Sequence, residues 1–285
     1  MSFRSVLAVV GGRSTDRPVL ETALATARLF DSWIEVLHPR IDPLSAMPFV
    51  GDAMSGAIAA ELMQSLESES ESRAREARST YELWRVDHGL LDPPSAGRVS
   101  SAWLERVGRP GDIVAHRGRL AVLIVVGRPA EAVDGTGAVA TEVAIFESGR
   151  PVLCVPPTMR GLLESNVAVL WNGSPQAARA VGDAMAFLLR GGTTTVVSLE
   201  DGGRWEPSAV ELVERLGRQG VKTSSRILAP GHASTAESLA GAIAEIGANL
   251  VVMGAYSHSR LRELVLGGVT RHMLSHAAVP VLMAH

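Results

Sequence analysis

Residues Leu250 to Thr270 read LVVMGAYSHSRLRELVLGGVT and indicate which kind of sheet the chain forms. The apolar opening predicts a buried strand ending at Gly254, and the close predicts a helix that opens at Gly267-Gly268. Ligands of open parallel sheets bind beyond the carboxyl ends of the strands, and backbone N–H groups at a helix N-terminus favour phosphate. Neither glycine has a Cβ to hold an anion away from the backbone, and Arg260 can add a charge-assisted contact. The stretch therefore predicts either a phosphate-binding loop or an ordinary strand-to-helix connection.

The rest of the chain alternates apolar strand-like runs with helical patterns of about 10 to 15 residues, as crossover units of a parallel sheet do. The first strand is predicted at Val6–Val10 and the last at Val281–Met283. The same patterns predict a strand over Leu83–Val86 and a helix over Ser100–Val107. The fold class is therefore α/β with mainly parallel sheets.

An internal repeat divides the chain into two copies of one domain. The matching segments are Val9–Gly12 with Leu170–Gly173, Leu123–Gly127 with Leu250–Gly254, and Arg150–Leu153 with Val279–Leu282. A repeat of this length predicts two tandem domains, each a five-stranded parallel sheet flanked by helices, over residues 1–158 and 164–285. The N-terminal copy is 34 residues longer between its first and fourth strands. We expect the extra residues at Pro39–Gly56 and Leu90–His116.

Composition excludes several classes of protein. With 46% hydrophobic residues and a formal net charge of −3, the 285-residue chain is not disordered and offers no basic patch for nucleic acid. Its longest strongly apolar run, Leu120–Val126, is too short for a membrane span, so a cytoplasmic protein without a membrane partner is expected. Cys154 is the only cysteine, which excludes an internal disulfide and is typical of a small buried apolar residue. His272 and His276 have helical spacing but no third ligand, so we expect no metal site.

The stretch quoted above resembles the signature of the universal stress protein family. That signature is Gly, two residues, Gly, nine residues, then Gly followed by Ser or Thr. Here Gly254 is followed after two residues by Ser257, and after nine more by Gly267 and Gly268. The segment VAVLWNGS, at Val167–Ser174, resembles the family's first strand and turn.

The resemblance covers Val167–His285 and, more weakly, Val6–Val155, and tandem arrangements of the domain occur in the family. It implies a Rossmann-like, adenine nucleotide alpha hydrolase-like fold in each half. Because some family members bind ATP, it also implies ATP or another adenine nucleotide as a cofactor of this chain.

By position, the resemblance implies a nucleotide site in the C-terminal half. Its residues would be Asn172, Leu199, Gly254, Ser257, His258, Gly267 and Gly268. ATP-binding members have an Asp at the end of the first strand, where this chain has Asn172 in one half and Gly11 in the other. In the N-terminal half Gly127 is followed by Arg128-Pro129, and proline lacks an N–H donor. The N-terminal site is therefore expected to be degenerate.

Three functions remain open at this point. The first is a universal-stress-type protein with an adenine-nucleotide site in the C-terminal half. The second is an interaction scaffold without a ligand, whose halves form an intramolecular pseudo-dimer and which can further homodimerise. The third is an enzyme of a related nucleotide-binding fold, which the sequence favours least because it supplies no obvious nucleophile–base pair. At most, weak ATP hydrolysis is expected. We expect the halves to dock through their last strands, Val152–Val155 and Val281–Met283, because bare sheet edges invite pairing.

Overall fold

The computed structural model describes residues 3–46, 56–90, 98–128, 135–158, 166–200, 207–229, 231–232, 234–255 and 268–285. The elements of the N-terminal half are β1 (Ser5–Val9), α1 (Asp16–Phe30), β2 (Trp33–Ile41), α2 (Pro43–Ala46), α3 (Gly56–His88), β3 (Ser100–Gly108), α4 (Pro110–Gly118), β4 (Leu123–Gly127), α5 (Gly135–Glu147) and β5 (Val152–Val155). Those of the C-terminal half are β6 (Asn166–Leu170), α6 (Pro175–Arg190), β7 (Thr193–Leu199), α7 (Ala209–Arg218), β8 (Thr223–Leu228), α8 (Thr235–Ile246), β9 (Leu250–Gly254), α9 (Gly268–His276) and β10 (Val281–Ala284).

The strands of both halves form one ten-stranded sheet in the order β3-β2-β1-β4-β5-β10-β9-β6-β7-β8. Within each half the strands pair in parallel, which confirms the predicted pair of five-stranded parallel sheets. The halves meet where β5 pairs antiparallel with β10, and Leu153 lies opposite Leu282. The prediction that the halves dock through their last strands agrees with this pairing.

Helices cover both faces of the sheet, because its central strands are apolar on both sides. Residues of α1, α3, α6 and α7 pack into the core on one face, and residues of α4, α5, α8 and α9 pack into the core on the other. On the first face, the rings of Phe3, Phe30 and Phe187 lie 5.0 to 5.2 Å apart. Since Phe187 belongs to α6, this aromatic cluster joins the two halves beside the β5–β10 pairing.

Two local predictions are wrong. Leu83–Val86 is not a strand but part of α3, whose buried face carries Ala77, Tyr81 and Trp84 at helical spacing. Ser100–Val107 is not a helix but lies in β3, which pairs with β2 in parallel register. The apolar residues of this stretch suit a helix as well as an edge strand, and the pairing with β2 decides between them.

The extra length of the N-terminal half lies mainly in α3, which has 33 residues against the 10 of its counterpart α7. Much of Leu90–His116, where we expected part of it, is instead β3 and α4, which correspond to β8 and α8. The insertion therefore lengthens the helix between the second and third strands of the N-terminal half and lays it along that half of the sheet.

Cys154 is a buried residue of β5, opposite Val281 of β10. Burial raises the pKa of its thiol to about 12, so the sulfur stays protonated and packs as a small apolar group. No helix in the described ranges has both the length and the apolar character needed to cross a bilayer.

Candidate functional site

Strand order places a crevice at the carboxyl ends of β6 and β9 in the C-terminal half, and of β1 and β4 in the N-terminal half. At these positions neighbouring strands send their connections to opposite faces of the sheet, which opens space for a ligand. The predicted nucleotide site belongs to the first of these crevices.

The turn after β6 is closed by its own side chains. The Asn172 side-chain oxygen accepts the Ser174 N–H at 3.2 Å, so Asn172 shapes the turn as an acceptor. Ser174 caps α6, since its hydroxyl oxygen accepts the Ala177 N–H at 3.2 Å, and Pro175 occupies the first helical position. The Trp171 indole N–H donates to the Pro207 carbonyl at 2.6 Å, which fixes the end of the strand to the segment before α7. This arrangement holds the N-terminus of α6 at the mouth of the crevice.

Gly254 has a packing role that the sequence did not reveal. A Cβ at this position would lie 2.6 Å from the Gln176 carbonyl carbon and would overlap the Ala177 amide nitrogen. Real Cβ atoms do not approach backbone so closely, so only glycine lets the first turn of α6 lie against the end of β9. The first glycine of the family signature is therefore required here for close helix–strand packing, independently of any ligand.

Gln176 is a candidate ligand-binding residue that sequence reasoning missed. Its side-chain Oε1 is buried and has no hydrogen-bond partner among the described residues, and its backbone and Cβ lie against Gly254 at the end of β9. A buried acceptor without a partner needs an explanation, and a donor group on a ligand is one. The only sequence signal was a polar residue in the first turn of the helix after the turn.

Gly268 is the first residue of α9, directly beyond β9. A Cβ added to it meets no described atom within 4 Å, and its φ lies outside the left-handed region. On the side where this Cβ would lie, no described atom therefore blocks a ligand from the backbone at the N-terminus of α9. Thr270, one turn into the helix, is buried.

The structure brings four of the seven predicted residues to one end of the sheet. Leu199 ends β7, next to β6, and shares that edge with Asn172, Gly254 and the start of α9 at Gly268. Ser257, His258 and Gly267 lie outside the described residues, as does Arg260.

The equivalent turn of the N-terminal half is occupied by the protein's own carboxylate. Asp16, in the first turn of α1, accepts the N–H groups of Gly11 at 2.9 Å, Gly12 at 2.8 Å and Arg13 at 3.2 Å. Burial raises the pKa of Asp16, and the three N–H bonds oppose that shift. Gly12 has φ +69°, and a Cβ there would lie 2.7 Å from the Arg73 Cα, so helix α3 lies directly against this turn.

A cleft of about 410 Å³ lies beside this N-terminal turn. It is lined by residues in the carboxyl-terminal ends of β1, β2 and β4, by the turns after β1 and β4, by one face of α3 and by α5. Among the lining residues are Arg13, His38, Ser70, Arg73, Arg128 and Thr141. The cleft occupies the half that the sequence predicted to lack a nucleotide site. The walls of this cleft differ from those of the C-terminal crevice, because the counterpart of α3 in the C-terminal half, α7, is much shorter.

The two histidines considered as metal ligands stack on each other. The rings of His272 and His276 lie 4.7 Å apart with 21° between their planes, and His272 presents its ring face rather than a nitrogen to its neighbour. Among the described residues, no group of three or more His, Cys, Asp and Glu side chains is placed to hold a metal ion.

Comparison with known proteins identifies the C-terminal half by sequence and the whole chain by fold. The model of the universal stress protein family matches residues 165–285. A universal stress protein from Archaeoglobus fulgidus DSM 4304 aligns over 100% of this chain and 99% of its own, with 15% identity and a TM-score of 0.69. A protein described as functionally unknown from Pseudomonas aeruginosa PAO1 aligns over 99% and 92%, with 13% identity and a TM-score of 0.52. No curated protein sequence matches the chain significantly.

These matches define a tandem α/β protein with the universal stress fold in both halves. By sequence, the C-terminal half matches the universal stress protein family over residues 165–285, and the whole chain has the two-domain fold of the solved structure from Archaeoglobus fulgidus. At identities this low the structural likenesses show the fold alone, so the ligand has to be argued from the residues themselves.

Proposed function

We propose that this chain is a stress-response protein that binds one adenine nucleotide, ATP or a close relative, in the crevice beyond β6 and β9. The observation that carries the proposal is the backbone at Gly268, where α9 begins and where an added Cβ would meet no atom of the described residues within 4 Å. A helix N-terminus presents N–H groups and a positive dipole to an anion, and a residue without a Cβ lets the anion approach closely. The phosphates would lie there.

The remaining described residues suit the other parts of a nucleotide. The buried acceptor oxygen of Gln176 would take a hydrogen bond from an amino or hydroxyl group of the ligand. Leu199, at the end of β7, offers an apolar contact to a base. Asn172 accepts the Ser174 N–H through its side-chain oxygen and, as a neutral amide, brings no charge to the ligand.

Binding rather than catalysis is proposed, because the candidate residues that the structure describes, Asn172, Leu199, Gly254 and Gly268, include no nucleophile–base pair. The chemistry available is recognition of an anion by backbone N–H groups and of a base by an apolar strand end. Conformational coupling to a partner would then follow from occupancy of the site.

Calorimetric titration of the full chain with ATP, AMP and cyclic AMP tests this function. Replacing Gly268 with Val should abolish binding, because the branched side chain would crowd the phosphate without removing a charge. The fold should tolerate the change, since the new Cβ meets no described atom within 4 Å. Gly241→Val is the matched control, because Gly241 is an exposed helical glycine of α8 whose added Cβ also meets nothing within 4 Å.

The titration distinguishes a nucleotide-binding protein from a scaffold without a ligand. Nucleotide binding by the parent and the Gly241→Val variant, lost in a folded Gly268→Val variant, supports the nucleotide site. A folded Gly268→Val protein that binds as well as the parent contradicts it. The scaffold is then the surviving function, and the observation that favours it is the β5–β10 pairing, which satisfies within one chain an edge that two chains would otherwise share.

A further inference from the structure

We propose that the cleft of the N-terminal half is a second ligand site, specific for a small hydroxylated organic anion rather than a nucleotide. It goes beyond the function proposed above, because it uses another half of the chain, another set of residues and another ligand. The cleft measures about 410 Å³, within the range of pockets that bury small molecules.

The charges that line the cleft favour an anion. Three guanidinium side chains line it, those of Arg13, Arg73 and Arg128, against the carboxylates of Asp16 and Glu76. Both oxygens of Asp16 are bound by backbone N–H groups, which offsets its charge toward the cleft. A guanidinium has five N–H donors in a planar fork, a geometry that suits a carboxylate or a phosphate.

The same hydrogen bonds argue against a nucleotide in this cleft. The N–H groups of Gly11, Gly12 and Arg13 all point at Asp16, so the backbone of this turn cannot bind a second anion. Recognition has to come from side chains, and the decisive one, Arg73, belongs to the α3 insertion. The N-terminal half has thus replaced backbone recognition by recognition from a helix that the C-terminal half does not have at that length.

His38 adds a requirement for a hydrogen-bond donor on the ligand. Its Nδ1 lies 3.0 Å from the Val10 carbonyl oxygen, which can only accept, so Nδ1 is the donor, and the tautomer with this proton has its lone pair on Nε2. The side chain is only 3% exposed and lines the cleft, and Nε2 has no partner among the described residues. Its ring is held in place by stacking on Trp103 at 6.1 Å. A hydroxyl group on the bound anion would satisfy this buried acceptor.

Titration of the full chain with glycerol 3-phosphate and with sulfate tests the proposal, since the first probe carries hydroxyl groups and the second does not. Arg73→Ala should weaken glycerol 3-phosphate binding about tenfold or more, the usual effect of losing a charge-assisted contact. Arg75→Ala is the matched control, because Arg75 is on the same helix, pairs with Glu71 as Arg73 pairs with Glu69, and is 72% exposed outside the cleft. It should leave affinity within about twofold.

His38→Asn tests the hydroxyl requirement, because the Asn amide can keep the hydrogen bond to the Val10 carbonyl while the Nε2 acceptor is lost. It should weaken glycerol 3-phosphate and leave sulfate binding unchanged. Circular dichroism of each variant confirms that it is folded.

Three results would overturn the proposal: no binding of either probe by the parent, equal losses in Arg73→Ala and Arg75→Ala, or displacement of glycerol 3-phosphate by ATP. The last would show one shared nucleotide site in the N-terminal cleft. Failure of the nucleotide site itself is read separately, from ATP binding in the Gly268→Val variant, so the two proposals fail independently.

Discussion

The turns after β1 and after β6 leave equivalent strand ends and differ in what fills them. After β1 the backbone N–H groups of Gly11, Gly12 and Arg13 bind the Asp16 carboxylate. After β6 a single side-chain acceptor, on Asn172, closes the turn on Ser174. Duplicated sequence thus gives duplicated strands but not duplicated sites, because the site depends on a few side chains in the turn and in the helix that follows it. The following predictions test this difference between the halves.

The largest effect is expected at the two glycines that end β4 and β9. Gly254→Ala would force a Cβ into the backbone of α6 and should lower the free energy of unfolding by about 3 kcal/mol, at the upper end for overpacking. In Gly127→Ala the new Cβ would lie 3.0 Å from the Thr15 Cβ and Oγ1, a tight contact that a shift of a few tenths of an ångström relieves, so the loss should be about 1 kcal/mol. Urea unfolding of both variants measures the difference. Equal losses would show that the helices are packed alike in the two halves.

Asp16 should come next. Asp16→Ala leaves three N–H groups of the turn without their acceptor and should lower the free energy of unfolding by about 2 kcal/mol. Asp112→Ala is the control, because Asp112 is an exposed acid in the first turn of α4, and its loss should stay within about 0.5 kcal/mol. If both variants unfold alike in urea, the carboxylate contributes only through the helix dipole.

The contact between halves through Arg128 should give a smaller effect. Its guanidinium donates to the Ala277 carbonyl after α9 at 2.8 Å, so Arg128→Ala should destabilise the β5–β10 pairing by about 1 kcal/mol. Cys154 lies in that pairing, so its thiol should react faster with a thiol reagent in Arg128→Ala than in the parent. Opening of the β5–β10 pairing would limit the rate of this reaction. Arg106→Ala, an exposed arginine of β3, should leave the labelling rate unchanged. An unchanged labelling rate in Arg128→Ala would show that this hydrogen bond does not stabilise the β5–β10 pairing. The contact between the halves would then depend on the cluster of Phe3, Phe30 and Phe187.

The smallest expected effect is on affinity alone. Asn172→Asp keeps the acceptor for the Ser174 N–H and restores the charge that the family resemblance implies, so ATP binding should tighten by up to about tenfold with unchanged stability. Gly11→Asp at the equivalent N-terminal position has room for its Cβ, which would contact only the Arg13 side chain at 3.6 Å. It should not create ATP binding, because Asp16 already holds the amides of that turn. A new ATP site in Gly11→Asp would show that the halves differ by that one residue.

The sequence was sufficient for the features that repeat and insufficient for those that depend on contacts between distant segments. Apolar runs such as Leu250–Gly254 predicted the strands, and their recurrence predicted the two parallel sheets and the pairing of β5 with β10. The prediction of a helix over Ser100–Val107 failed, since this segment is the edge strand β3. An edge strand has only one neighbour, so its pattern of buried and exposed residues is weak and does not distinguish it from a helix.

The candidate site was predicted only in part, for a related reason. Gly254 was predicted to contact a ligand, whereas the structure gives it a packing role against Gln176 and Ala177, which lie 78 and 77 positions earlier in the chain. The buried oxygen of Gln176 and the closure of the N-terminal turn by Asp16 also depend on where a helix meets a strand end. Such contacts leave no periodic signal in the sequence.

A crystal structure of the full chain with ATP would locate the nucleotide in one half or in both. We expect one nucleotide per chain, beyond β6 and β9, with its phosphates at the start of α9 next to Gly268 and no nucleotide in the cleft beside Gly127. Two nucleotides bound alike, or one ordered only beside Gly127, would contradict it.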